Sequence, residues 1–124
     1  MLEHLSVLIV DDNPAMAGAL ADVLDAKGFD VYTAKSGSDA LAILNTHLVH
    51  VLLTDVVMQE MNGVELYLAT REAHPDLITI FMTAYAADDL IQQGMRAGVK
   101  TVLTKPIDMD FLIYLLNATR NIIG

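Results

Sequence analysis

Cysteine is absent from the 124-residue chain, and its absence excludes several kinds of site. No disulfide framework, thiolate metal site or catalytic thiol can form without it. Basic residues are also scarce: seven Lys and Arg stand against 16 Asp and Glu, which gives a formal net charge of −9. Because duplex nucleic acid is bound through clustered Lys and Arg, we expect no direct nucleic-acid partner.

Long apolar runs and a basic leader are absent as well. No run approaches the roughly 18 apolar residues that span a membrane, and residues 1–4 lack the basic start of a signal peptide. Hydrophobic residues make up 54% of the chain, which is enough to bury a large core and excludes overall disorder. We therefore expect a cytoplasmic protein of one domain with no membrane partner.

Apolar runs alternate with helical patterns five times along the chain. Strands are predicted at residues 7–10, 29–34, 49–54, 77–82 and 99–104. Helices are predicted at residues 14–27, 36–46, 62–74, 85–97 and 108–123. The weaker alternation of the second run predicts an edge strand. Five such units imply an α/β fold in which helices cover both faces of a parallel sheet.

Residues that favour helix N-caps precede three of the predicted helices. Asn13 stands before Pro14, Ser36 begins a sequence similar to a capping box with Asp39 in place of Glu, and Asp108 opens the last helix. We expect the three side chains to accept hydrogen bonds from first-turn N–H groups.

Polar residues directly follow four of the five predicted strands. Asp11 and Asp12 follow the first strand, Asp55 the third, Thr83 the fourth and Lys105 the fifth. Because open parallel sheets bind ligands at the carboxyl ends of their strands, we expect these side chains to lie together. Each is an ordinary turn residue when taken alone, and it is their coincidence that favours a site.

Three carboxylates at one place repel one another. At about 5 Å and an effective dielectric of about 20, each pair costs about 3 kcal/mol before screening. A proton or a cation relieves this repulsion, and oxygen ligands without His or Cys favour Mg²⁺ or Mn²⁺ over zinc. A divalent cation and Lys105 can neutralise a phosphoryl group, and a carboxylate can accept one. The spacing thus predicts cation-assisted phosphoryl transfer onto an Asp.

Short motifs in a fixed order make the chain similar to a known family. They are Leu8-Ile9-Val10-Asp11-Asp12, Leu53-Thr54-Asp55, Asn62-Gly63, Met82-Thr83-Ala84, Ala97-Gly98 and Thr104-Lys105-Pro106. Each motif is weak alone, but the set spans almost the whole chain and resembles the receiver domain of two-component response regulators. The resemblance implies a flavodoxin-like, doubly wound fold with five helices and the strand order 2-1-3-4-5.

The resemblance also implies a phosphoacceptor and a metal site. Asp55 is implied to accept a phosphoryl group from a histidine kinase, a phosphotransfer protein or a small phosphodonor. Mg²⁺, or Mn²⁺ in its place, is implied to bind Asp11, Asp12, Asp55 and the backbone carbonyl of Val57. The chain would then be a signalling switch that phosphorylates only itself and converts no separate metabolite.

Residues around the phosphoryl group receive roles in the same way. Thr83 is implied to contact the phosphoryl oxygen and to move on activation, Ala84 to leave room beside it, and Lys105 to pair with its charge. Pro106 often follows a cis peptide bond in this family. The output domain or partner is implied to bind the face formed by the fourth helix, the fifth strand and the fifth helix. We expect one receiver domain over residues 1–124, whether as a protein of its own or as part of a longer regulator.

Two positions depart from the family's usual pattern and bear on switching. Gln59 stands where a Pro is usual, so the loop after Asp55 is expected to be less rigid. Val102 stands where the switch aromatic is usual, three residues before Lys105, so an aromatic rotamer change coupled to Thr83 cannot occur there.

Val57 and Tyr85 flank the path of the attacking water in this family. Neither supplies a carboxylate or an amide to orient water, so we expect the phosphoryl group on Asp55 to hydrolyse slowly. For Tyr85 two interpretations stay open: it packs over the site in place of the missing aromatic, or it is a half-buried residue at the start of a helix.

The last helix is rich in apolar residues. Those predicted to be core, at helical spacing, are Phe111, Leu112, Leu115, Leu116, Ile122 and Ile123. Met109, Ile113 and Tyr114 lie outside that stripe. Simple partial exposure is one interpretation of them, and a face for a homodimer or a partner is the other.

Three other functions are compatible with parts of the pattern. Val102 and Gln59 favour a degenerate receiver that acts as a constitutive interaction module, although the acidic residues oppose it. A flavodoxin is disfavoured, because Asp11 and Asp12 present carboxylates where the flavin phosphate would bind. A hydrolase with a nucleophilic Asp lacks its usual two Asp residues separated by one residue.

Overall fold

The computed structural model describes residues 4–84 and 87–123, in which five strands alternate with five helices. The strands are β1 (Ser6–Val10), β2 (Asp30–Ala34), β3 (Val51–Asp55), β4 (Ile78–Thr83) and β5 (Thr101–Thr104). The helices are α1 (Pro14–Ala26), α2 (Gly37–Thr46), α3 (Gly63–Thr70), α4 (Asp88–Ala97) and α5 (Met109–Ile123). The sheet order β2-β1-β3-β4-β5 with every pair parallel confirms the predicted doubly wound α/β fold.

Helices on both faces bury the central strands completely. Every residue of β1 and β3 is buried, whereas only Ala34 is buried in β2, which is the predicted edge strand. Alternate residues of β1 face opposite layers: Ile9 packs in the core that contains Leu24 and Leu112, and Leu8 in the core on the other face. None of the helices in the described residues is long and apolar enough to cross a membrane.

The predicted helix caps are present. Asn13 Oδ1 accepts hydrogen bonds from the N–H groups of the first turn of α1, at 3.1 and 3.3 Å. Ser36 Oγ accepts one from the Asp39 N–H at 3.1 Å, and Asp108 Oδ1 accepts one from the Phe111 N–H at 3.2 Å. These bonds satisfy N–H groups that have no partner within the helix, so each helix begins close to its predicted residue.

Two helices are shorter than predicted. The helix predicted to continue to residue 74 ends at Thr70, whose hydroxyl donates to the Tyr67 carbonyl at 2.8 Å. Such a bond competes with the helical pattern, and Pro75 disfavours helical geometry in the residue before it. The helix predicted from residue 85 is described from Asp88, and the predicted role of Tyr85 lies outside the described residues.

The apolar stripe of α5 is narrower than predicted. Leu112, Leu116 and Thr119 are its buried residues, while Phe111, Ile122 and Ile123 are exposed and were wrongly predicted to be core. Met109 and Ile113, which were predicted to lie outside the stripe, pack partly buried against the core, in agreement with the interpretation of partial exposure. Tyr114 is 67% exposed, and its ring stacks on that of Phe111 with centroids 6.4 Å apart. The face of α5 that contacts the sheet therefore holds fewer side chains than the helix has apolar residues.

Gly63 allows α3 to begin directly against the end of β3. Its N–H donates to the Val56 carbonyl at 2.8 Å, and an added Cβ would lie 2.7 Å from the carbonyl oxygen of Asp55. That oxygen belongs to the backbone and cannot rotate away as a side chain would. The close approach fixes the position of α3 relative to Asp55.

We expect Gly63→Ala to lower the free energy of unfolding by about 1–3 kcal/mol, because the new methyl group overlaps backbone atoms. Gly18→Ala is the matched control, because a Cβ at Gly18 in α1 meets nothing within 4 Å. That variant should gain about 0.5–1 kcal/mol, because Ala favours a helix interior over Gly. Urea denaturation measures both values, and equal changes in the two variants would contradict the packing argument.

Candidate functional site

The strand register brings the predicted polar residues to one edge of the sheet. Asp55 is the last residue of β3 and pairs with Met82 of β4. Thr83 follows Met82 and pairs with Thr104, which directly precedes Lys105. Because every strand runs in the same direction, the carboxyl ends meet, as the sequence predicted.

Three carboxylates converge at this edge. One oxygen each of Asp11, Asp12 and Asp55 can be chosen so that all three lie within 4.8 Å of one another. Asp11 and Asp55 are buried and Asp12 is exposed. Within the described residues, Asp12 forms no hydrogen bond or ion pair with another side chain. A donor set made only of carboxylate oxygens fits a hard divalent cation such as Mg²⁺.

Lys105 joins two of the three carboxylates. Its Nζ lies 2.6 Å from Asp11 Oδ2 and 2.9 Å from Asp55 Oδ2, and its side chain is 12% exposed. Burial acts to lower the pKa of Lys105, but the hydrogen bonds and charges of Asp55 and Asp11 together outweigh it and raise the pKa. The ammonium group therefore stays protonated and partly neutralises the cluster.

Backbone N–H groups donate to the second carboxylate oxygen of Asp11 and of Asp55. The Asn13 N–H donates to Asp11 Oδ1 at 2.9 Å, and the Val57 N–H donates to Asp55 Oδ1 at 3.2 Å. Both donors lie two residues after the carboxylate, in the loop that follows the strand. Each loop thus fixes the rotamer of the acidic residue that precedes it.

A cavity of about 490 Å³ opens over these groups. Six of its lining residues were singled out in the sequence: Asp11, Asp12, Asp55, Val57, Ala84 and Lys105. The other four were not predicted to line it: Asn13 was singled out only as a helix cap and Gln59 only as a departure from the family's pattern, and Met16 and Met58 received no role. The four lie in the two loops after β1 and β3 or in the first turn of α1. Their closeness along the chain to the acidic residues was the signal that could have identified them as cavity residues.

Thr83 and Val102 do not line the cavity. Thr83 is buried, does not line the cavity, and accepts a hydrogen bond from the Lys105 N–H through its carbonyl at 2.8 Å. Val102 is half-buried and packs against the apolar cluster that contains Phe81. The peptide bond between Lys105 and Pro106 is cis, as the family resemblance implied.

Comparisons with known proteins agree with this geometry. Residues 7–117 match the family model described as the response regulator receiver domain. The chain is 34% identical over 106 residues to the transcriptional regulatory protein GlrR of Escherichia coli K12. The match covers 86% of this chain and 24% of that protein. The chain thus spans about a quarter of the length of that relative.

Two solved structures are similar over most of the chain. A response regulator receiver protein from Pseudomonas putida has a TM-score of 0.89 and 28% identity, covering 95% of this chain and 99% of that one. A response regulator from Burkholderia pseudomallei with a phosphorylated aspartic acid, a calcium ion and citrate has a TM-score of 0.83 and 25% identity. The match covers 90% of this chain and 66% of that one.

Receiver domains are signalling switches controlled by phosphorylation, not conventional enzymes. They bind Mg²⁺ in an acidic pocket, which corresponds here to the cluster of Asp11, Asp12 and Asp55. In homologous proteins of two-component systems, receiver domains interact with histidine kinases and output domains. From its fold, its acidic cluster and its match over residues 7–117, this chain belongs to the receiver domain family of two-component response regulators.

Proposed function

We propose that Asp55 accepts the phosphoryl group in this receiver. The carrying observation is that the carboxylate of Asp55 lines the open cavity and also contacts the Lys105 ammonium at 2.9 Å. Asp11 is more tightly enclosed, with a side chain 3% exposed, and no ammonium group among the described residues contacts Asp12. The phosphorylated aspartic acid in the Burkholderia relative supports the same chemistry.

The transfer is a displacement at phosphorus. A carboxylate oxygen of Asp55 forms the new P–O bond while the bond from phosphorus to the donor's nitrogen or oxygen breaks. The donor leaves with that electron pair and, where it is a histidine, stays as a neutral imidazole after exchanging protons with solvent. Lys105, whose pKa is raised beside Asp11 and Asp55, enters the step as an ammonium group and would pair with the new phosphoryl oxygens.

The remaining site residues would support this step. Asp11, Asp12, Asp55 and the Val57 carbonyl would hold Mg²⁺, or Mn²⁺ in its place, and the cation would supply positive charge next to the phosphoryl oxygens. Ala84 is exposed in the cavity wall and leaves space there, and the hydroxyl of the neighbouring Thr83 would contact a phosphoryl oxygen.

Phosphorylation would bias an equilibrium between two conformations. It adds about −1.5 to −2 charges at the sheet edge, which favours the conformation that brings Thr83 to the phosphoryl group. The expected output surface is formed by α4, β5 and α5 and would contact an output domain, a partner or a second copy. The donor would be a histidine kinase, a phosphotransfer protein or a small phosphodonor. Residues 1–124 would form one receiver domain, either as a protein of its own or as part of a longer regulator. In GlrR, the matched region is 24% of that protein.

A receiver that does not switch is the second candidate. The observation that favours it is Val102, a half-buried aliphatic residue at the position where the family's switch aromatic is usual. Such a protein would present the same surface whether or not Asp55 carries a phosphoryl group. Binding of a partner that is indifferent to phosphorylation distinguishes this module from a switch.

We expect acetyl phosphate with Mg²⁺ to add one phosphoryl group to the chain, and Asp55→Asn to abolish the addition, because an amide cannot form the acyl phosphate. Intact-protein mass spectrometry measures the addition. Asp22→Asn, which changes an exposed carboxylate of α1, is the control and should be phosphorylated like the wild type. Undiminished phosphorylation of the Asp55 variant would assign the acceptor elsewhere, and none in the wild type would favour the non-switching module.

We expect Mg²⁺ to stabilise the fold by about 1.4 kcal/mol at ten times its dissociation constant, because it relieves repulsion among the carboxylates. Asp12→Asn removes one repelling charge that forms no ion pair within residues 4–84 and 87–123, so it should raise stability without metal and weaken the stabilisation by Mg²⁺. Thermal melting at millimolar Mg²⁺ measures both, with monovalent salt of equal ionic strength as control. An unchanged melting temperature in the wild type argues against the metal site.

We expect the phosphoryl group on Asp55 to persist for minutes or longer, because Val57 lines the cavity without a group that orients water. Val57→Asn should speed its loss about three- to tenfold, the effect of one added hydrogen bond in the transition state. Val57→Leu is the matched control and should not speed the loss. Decay of radiolabelled protein measures the rate, and loss within seconds from the wild type contradicts the expectation.

A further inference from the structure

The last turn of α4 is fastened to α3 by a buried tyrosine. The Tyr67 hydroxyl donates to the carbonyl of Ala97, the last residue of α4, at 2.9 Å. A carbonyl at the end of a helix has no amide within the helix to bind, so Tyr67 supplies its partner. Gly98 has φ +123°, and a Cβ there would lie 2.5 Å from the Tyr67 hydroxyl oxygen. Glycine therefore lets the hydroxyl reach the end of the helix.

A second contact holds the same end of α4 to the sheet. Gly94 is the buried residue of α4, and a Cβ added to it would overlap the ring of Phe81 in β4. The first turn is held differently. Its N-cap, Ala87, offers no side-chain hydrogen bond, and Asp88 and Asp89 are exposed. The C-terminal end of α4 is thus closely attached, whereas at its N-terminal end the described residues that pack against the core are the partly buried Ala87, Leu90 and Ile91.

Tyr67 is also connected to the phosphoacceptor through α3. That helix begins at Gly63, against the Asp55 carbonyl, and Tyr67 lies four residues further, on the same face. Tyr67 and Phe81 pack in one apolar cluster with Val56, the residue next to Asp55, and Val102 packs against that cluster. Within the described residues, α3 and β4 therefore each supply an aromatic ring to the cluster that Val102 packs against.

We propose that Tyr67 couples the phosphoacceptor site to α4, in the role left open by the aliphatic residue at position 102. This rests on the proposed function of Asp55 as acceptor. A change at Asp55 displaces the start of α3, and the hydrogen bond from Tyr67 to the Ala97 carbonyl keeps the last turn of α4 attached to α3, so that the hydrogen bonds within that turn are kept. With its last turn attached to Tyr67, α4 rotates about that end. Phosphorylation therefore changes the hydrogen bonding of its first turn and leaves that of its last turn nearly unchanged.

Amide hydrogen exchange measured by NMR tests this at two positions. The Ile91 N–H bonds to the Ala87 carbonyl in the first turn, and the Gly98 N–H bonds to the Gly94 carbonyl at the last turn. In the wild type with acetyl phosphate and Mg²⁺, we expect exchange at Ile91 to change about fivefold or more, and at Gly98 less than about twofold. In Tyr67→Phe, which lacks only the hydroxyl, phosphorylation should change exchange at Gly98 about fivefold as well.

The ratio of the exchange rates at Gly98 in the phosphorylated and the unphosphorylated protein distinguishes coupling from a merely structural role. If Tyr67 only capped the helix, Tyr67→Phe would speed exchange at Gly98 equally in both states, and the ratio would match the wild type, which overturns the proposal. A change at Gly98 as large as at Ile91 in the wild type also overturns it. Tyr114→Phe, which alters an exposed tyrosine of α5, is the control and should behave like the wild type.

Mass spectrometry of the same samples keeps the two proposals apart. A wild type that gains no phosphoryl group contradicts the function proposed for Asp55 and removes the basis of the coupling. A wild type that is phosphorylated but whose exchange ratio at Gly98 is unaffected by Tyr67→Phe contradicts the coupling alone.

Discussion

Three clustered carboxylates, only two of which contact the single ammonium group of Lys105, are the constraint on which this receiver depends. At a separation of 4.8 Å, two carboxylates repel each other by about 3.5 kcal/mol at an effective dielectric of about 20, before screening by solvent and salt. Lys105 offsets part of this for Asp11 and Asp55 but does not reach Asp12. The site therefore keeps an excess of negative charge, which favours a bound cation, and the cation and Lys105 together make the cavity suitable for a phosphoryl group. The same repulsion that disfavours the fold thus defines its ligand.

The sheet makes this charge cluster possible because its strands determine where the carboxylates lie. Asp55 belongs to a buried strand and Asp11 directly follows one, so neither backbone can relax away from the other. Gly63 brings α3 against the carbonyl of Asp55, and a hydrogen bond to Val57 N–H orients the carboxylate. A change at the acceptor therefore meets rigid neighbours. Such a change is transmitted into the helices more readily than it is absorbed locally.

Local patterns in the sequence predicted the parallel α/β architecture and the acidic cluster, whereas the strand order was implied by the resemblance to receiver domains. Strand ends next to Asp11, Asp55 and Lys105 are visible in hydropathy alone, and parallel direction brings them to one edge. Exposure along α5 was predicted poorly, because apolar spacing does not say how wide a contact the sheet offers; Phe111 and Ile122 are exposed. Among the lining residues, Met16 was missed because it lies beside the motifs without belonging to one, and Gln59 was noted only as a departure from the family's pattern.

Tyr67 was beyond the reach of sequence patterns for a different physical reason. Its partner Ala97 is 30 residues away, and the bond depends on the close approach that Gly98 permits. Helical spacing marks Tyr67 only as a core residue of α3. A single aliphatic residue at position 102 favours a receiver without a switch only if no other aromatic enters the space between α3 and α4. Because Tyr67 and Phe81 occupy that region and contact α4 directly, Val102 is compatible with a protein that switches.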